Sequence, residues 1–148
     1  MTHRAARRAG SSNSAVKKAA NTDRWTEILF RALASRVAKR WRFVSFRGVS
    51  GGEWRGIVDV VAIRKDTSHS DHELLKRGDL FDLILIQMKG GGVRWPTDVE
   101  VRRLRAVRSR YRAKAVVLFA WQKGRRCEFY TLARRGAWMK SGSREIFG

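Results

Sequence analysis

Three polar residues stand inside two apolar runs of this chain. Asp59 interrupts Gly56 to Arg64, GIVDVVAIR, and Gln87 and Lys89 come near the end of Phe81 to Gly92, FDLILIQMKGGG. A carboxylate or an ammonium within an apolar strand is costly unless it is paired or holds a metal, so the two runs ask for one explanation. Side chains two apart on a strand share a face. Gln87 and Lys89 therefore point the same way, with Leu83 and Leu85, while Ile86 and Met88 point to the other side. If the two strands are neighbours, Asp59 meets both. Oxygen donors from Asp59, the Gln87 amide and a main-chain carbonyl suit a hard cation, Mg²⁺ or Mn²⁺, which keeps several waters for a substrate phosphate. Lys89 can then orient or help deprotonate a water. The plainer alternative is an ion pair between Asp59 and Lys89, with Gln87 facing water.

The elements that must position these residues are readable from periodicity. From Thr22 the chain turns helical, with Trp25, Ile28, Leu29, Ala32, Leu33 and Val37 recurring at three- and four-residue spacing and Asn21 or Thr22 as cap. Trp41 to Arg47 alternates as a strand, the 48–52 stretch GVSGG is a turn, and the Asp59 strand follows as its hairpin partner. Glu53 in the connection is an auxiliary carboxylate. Lys65 to Asp79 is a polar excursion in which His69, Asp71, His72 and Glu73 crowd without the spacing of a zinc motif. Asp82 alternates to the face opposite Gln87. Gly90 to Gly92 leaves room for a phosphate backbone to come close, without the order of a P-loop. Thr97 to Glu100 forms a capping box for a helix Asp98 to Arg112. That helix buries Val101, Leu104, Val107 and Tyr111 and exposes Arg102, Arg103, Arg105, Arg108 and Arg110, a face suited to nucleic-acid phosphates. Ala115 to Trp121 is a buried strand, Cys127 to Leu132 returns as another, and a basic tail closes the chain.

This order, α-β-β-β-α-β-β, gives an α/β fold with a central mixed β-sheet flanked by helices. Asp59 on one strand, with Gln87-Met88-Lys89 near the end of the next, resembles the PD-(D/E)XK nuclease superfamily, in which Asp59 stands as the first acid and the triplet as (D/E)XK. Gln in the triplet is similar to the Mrr-type restriction branch, and the short layout is similar to archaeal Holliday junction resolvases. No Pro precedes Asp59. The resemblance spans Asp23 to Leu132 and implies a restriction-endonuclease-like core, with the metal at Asp59 and Gln87, a catalytic Lys89, and cleavage that leaves a 5′-phosphate. It also implies a Glu from the first helix at the metal. Glu27 is the carboxylate available, although a helical wheel puts it roughly opposite the main stripe, on the side shared with Phe30, Ala34 and Ala38. A solvated surface position is the alternative.

Charge points to the same kind of partner. Lys and Arg number 33 against 13 Asp and Glu, a net charge of +20, so the chain calls for a polyanion. DNA is the expected partner. A membrane is not, since neither a long apolar span nor a lipidation motif is present. The single Cys127 excludes an internal disulfide and fits a reducing compartment. Residues 1–21, with five Arg or Lys and no acid, read as a flexible basic arm ahead of one domain at 22–148. Their composition also has the flavour of an organellar import segment, a weaker reading than a cytoplasmic, nucleoid-associated protein. Together these expectations describe a Mg²⁺-dependent DNA endonuclease, structure-selective or weakly sequence-specific, and a homodimer like the resolvases. Two other readings compete: a catalytically silent nucleic-acid-binding protein on the same scaffold, and an RNA-associated module in which Trp54 and Trp95 stack on bases.

Overall fold

The structure is a computed structural model and describes residues 3–46, 56–68, 71–92 and 94–148. The expectations for Arg47, the 48–52 turn, Glu53, Trp54 and His69 lie outside these residues. The order is α1 (His3–Ala34), β1 (Arg42–Ser45), β2 (Val60–Lys65), β3 (Phe81–Gly90), α2 (Asp98–Tyr111), β4 (Ala115–Trp121), β5 (Glu128–Leu132), β6 (Trp138–Ser141) and α3 (Ser143–Phe147). The six strands form one sheet in chain order, β1 to β6. Neighbours are antiparallel except β3 and β4, which run parallel because α2 carries the chain across between them. The chain is thus α/β with a mixed sheet and helices on both faces. No helix among the described residues is long and apolar enough to cross a membrane.

Alternation along the central strands builds two cores. Ile84, Ile86 and Met88 of β3, with Val117 and Phe119 of β4, face α1 and α3 and bury Phe30, Ala34 and Phe147 among them. The intervening residues Leu85 and Val116 face α2 and pack with Leu104 and Leu132. Phe147 is held in place by the Trp41 indole, whose Nε1–H donates to its carbonyl at 3.0 Å.

Several sequence expectations are corrected here. The first helix starts at His3 rather than Thr22, so most of the stretch expected as an arm is drawn into α1. That stretch is rich in Ala, Arg and Lys, all good helix formers, and lacks Pro. The buried stripe of α1 is Thr26, Phe30 and Ala34, continued by the buried Ala38 just beyond the helix, while Trp25 and Ile28, expected in the core, are 56% and 44% exposed. The reason lies in the sheet. A Cβ built on Gly90 would sit 2.0 Å from Thr26 Oγ1, so the helix lies on β3 too closely for anything but small residues at that crossing. Gly90 therefore serves helix packing, and of the three glycines Gly92 is where a Cβ would meet nothing within 4 Å among the described residues, so that is where room for a phosphate backbone is left. Tyr111, expected in the core, is 62% exposed at the end of α2. The expected basic tail instead forms β6 and α3 and adds a sixth strand.

Candidate functional site

The singled-out residues gather at the C-terminal end of β3. A parallel β3–α2–β4 unit carries the chain from that end into the N-terminus of α2, the usual setting for a site in an α/β sheet. On the other side, the ladder between β2 and β3 runs as far as Val60 opposite Ile86. Asp59 stands one residue before β2, not in mid-strand. Its N–H donates to Ile86 O at 2.9 Å, and its carboxylate Oδ2 accepts the Met88 N–H at 2.6 Å. Beyond the last ladder pair, a side-chain oxygen thus satisfies a main-chain donor that would otherwise need a strand. Both bonds reach the residues that flank Gln87.

Gln87 is 5% exposed. Alternation places it with Leu85 and Lys89 on the α2 side of the sheet, opposite Leu118 of β4. Its Oε1 is buried and finds no hydrogen-bond donor among the described residues. Such an acceptor is uncommon in a folded protein and calls for an explanation. Two residues on, Lys89 Nζ donates to Glu100 Oε1 at 3.1 Å, with both side chains about a quarter exposed. Glu100 is also the far half of the expected capping box. Its Oε2 accepts the Thr97 N–H at 2.7 Å, and its own N–H donates to Thr97 Oγ1 at 3.2 Å. The Thr97 N–H, and after it the Lys89 ammonium, hold the Glu100 carboxyl below its ordinary range, against the opposing effect of burial.

The structure therefore brings Asp59, Gln87 and Lys89 to one end of β3 and adds Glu100, which the sequence reading took only as a cap. The available signal was its position, one turn into the helix that follows the Lys89 strand. Glu27 is not brought onto that side. It lies on α1, across the sheet from Gln87 and Lys89, with its Oε1 3.1 Å from Arg31 Nε. Among the described residues no three of His, Cys, Asp and Glu come together as a metal-holding group. Among the described residues, beside the Glu100 carboxylate already taken by Lys89 and Thr97, the side-chain oxygens at this end are those of the Asp59 acid and the Gln87 amide. Both are hard donors, and among the described residues the amide oxygen has no competing hydrogen-bond donor, so the set fits Mg²⁺ in kind.

The arginines of α2 divide. Arg102, Arg103, Arg105 and Arg110 are exposed, as the helical spacing leads one to expect. Arg108 is corrected: it is only partly exposed, and its guanidinium donates to the carbonyls of Ala113 at 3.2 Å, Lys114 at 3.0 Å and Leu132 at 3.5 Å. It ties the end of α2 to the connection just before β4 and to the end of β5, the role of a cation at a helix C-terminus. No known protein-family model matches this chain, and neither a curated protein nor a solved structure does.

Proposed function

We propose that this protein is a Mg²⁺-dependent deoxyribonuclease of the restriction-endonuclease-like kind, acting on DNA with structure-selective or weak sequence preference. The observation that carries the reading is the buried Oε1 of Gln87, without a donor among the described residues, next to the Asp59 that bonds both flanking residues and on the same face as Lys89. Asp59 and Gln87 would hold the cation. When bound, Mg²⁺ polarises the phosphate and lowers the pKa of water. The residues of the chain do the rest. Lys89, with three donors and one given to Glu100, has two left for the phosphoryl oxygens, where its charge opposes the negative charge that builds up as the nucleophile adds. Glu100 positions that ammonium through a helix cap, so Lys89 depends on α2 as well as β3. Met88 N–H fixes the Asp59 carboxylate. The exposed arginines of α2 lie on the same side of the sheet and suit the flanking phosphates.

The test is cleavage of duplex, flap and four-way junction DNA with and without Mg²⁺, wild type against Asp59→Ala. Wild type should cut only with the metal, and the variant should lose roughly 100-fold or more. DNA affinity should hardly change, since phosphate contacts supply most of it. Metal-dependent cutting that survives in a pure, folded Asp59→Ala preparation would end the assignment. Binding without cutting in wild type would leave a DNA-binding protein on a nuclease-like scaffold.

A further inference from the structure

Beside Lys89 the sheet carries a pocket that phosphodiester cleavage does not use. Lys89 is the register partner of Ala120 on β4, and Ala120 is the partner of Glu128 on β5. Ala120 and Glu128 both line an open cavity of about 330 Å³. One wall is aromatic. Trp95, 50% exposed in the connection before α2, meets the Tyr130 ring edge to face at a centroid distance of 4.7 Å. The floor is polar. Glu128 accepts from Lys140 Nζ at 2.6 Å and from the Tyr130 hydroxyl, so its charge is balanced and its position fixed. The rim is basic, with Arg125 and Arg126 exposed in the β4–β5 turn beside the Gln122 amide.

We propose that this pocket receives an unpaired nucleobase of the DNA strand whose phosphate lies at Lys89, so that the protein selects DNA with a single-stranded segment next to a duplex. The proposal rests on the nuclease reading for its direction and names the substrate class of that site. Four features carry it. A half-exposed Trp offers a stacking face, and stacking tolerates any base. The pocket falls within the usual size range of small-molecule sites. Glu128 and Gln122 present an acceptor and an amide, the groups that read amine and carbonyl edges of an unstacked base. Neighbouring strands lie about 5 Å apart, which puts the pocket next to Lys89, within reach of an adjoining nucleotide. A paired base is held in its stack and cannot enter, so the pocket discriminates by strand state rather than by sequence.

The experiment measures affinity of the full chain in EDTA, where no cutting occurs, for a blunt duplex, the same duplex with a single-stranded overhang, and that overhang made abasic. Wild type should prefer the overhang by roughly ten-fold, the size of one base–aromatic contact. The preference should vanish for the abasic overhang. It should vanish again in Trp95→Ala, with duplex affinity unchanged. Equal affinity for all three DNAs in wild type, or a preference that survives both the abasic strand and Trp95→Ala, overturns the pocket and leaves the nuclease reading standing. The reverse split, with overhang preference present and no metal-dependent cutting of any substrate, overturns the nuclease reading and leaves the pocket. Failure to bind any of the three DNAs removes both.

Discussion

The two ends of β3 carry similar polar residues and treat them differently. At the N-terminal end Asp82 accepts from Arg64 Nε at 2.9 Å and lies 3.5 Å from Lys114 Nζ, while the Arg64 guanidinium rests 4.4 Å over the Trp41 ring. Every group there has a counterpart, as folding alone would arrange it. At the C-terminal end Gln87 Oε1 is buried without a donor among the described residues, and Lys89 is shared with a helix cap. A buried acceptor left unsatisfied costs about 1–3 kcal/mol. One end thus stabilises the sheet and the other weakens it. The proposed metal-binding role would account for a costly arrangement at that end.

Matched substitutions at the two ends break or sharpen that contrast. Gln87→Met keeps the shape and removes the orphaned oxygen. It should raise the unfolding free energy by ~1 kcal/mol or more and lower DNA cleavage by roughly 100-fold. Asp82→Asn should do the reverse, costing about 1–3 kcal/mol through the loss of charge-assisted bonds while leaving turnover at wild-type levels. Urea unfolding at constant m-value together with initial cleavage rates reads both quantities. A destabilised Gln87→Met with normal turnover would mean that Gln87 is an ordinary core residue.

The same contrast divides α2 along its length, with a smaller effect. Neutralising Arg102 and Arg105 to Gln removes two exposed cations. The slope of log affinity against log salt for DNA should become shallower by about 2, with no change in melting temperature. Arg108→Gln should leave the slope alone and lower the melting temperature, because its partners are three carbonyls of the protein itself. Equal slopes for wild type and the double variant would remove this helix from the DNA-contacting surface.

How far all this could be read in advance follows from the range of each signal. β4 falls on the expected Ala115 to Trp121, and α2 starts where the Thr97 capping box puts it, because a short apolar run and a cap are local patterns. Alternation likewise sorts Gln87 and Lys89 from Ile86 and Met88 correctly. The rotation of α1 was not legible, since two apolar stripes overlap on it and the choice between them depends on Gly90, far along the chain. β6 and α3, of four and five residues, are too short to show a period. The Lys89 to Glu100 contact was hidden for another reason. It depends on where a crossover helix begins in space, and the capping box already gave Glu100 a sufficient local role.

That double role of Glu100 makes the smallest effect the most diagnostic of the four-residue arrangement. Its carboxyl is held below the ordinary 4.5 by the Thr97 N–H first and by Lys89 as well. Because the folded value lies below the unfolded one, the stabilisation is complete above the ordinary value and disappears as pH falls through the lowered folded value. Glu100→Gln can still accept the Thr97 N–H, since Gln also closes a capping box, so the variant removes charge and leaves the helix start. At neutral pH it should be less stable than wild type by ~1 kcal/mol or less, the scale of a partly exposed ion pair. The two stability curves should converge below the ordinary carboxylate range, where wild-type Glu100 is protonated too. Thermal melts over the acid limb read this directly. Curves that run parallel through that range would mean that Glu100 titrates alike in folded and unfolded chains, and Lys89 would then have no strut to α2.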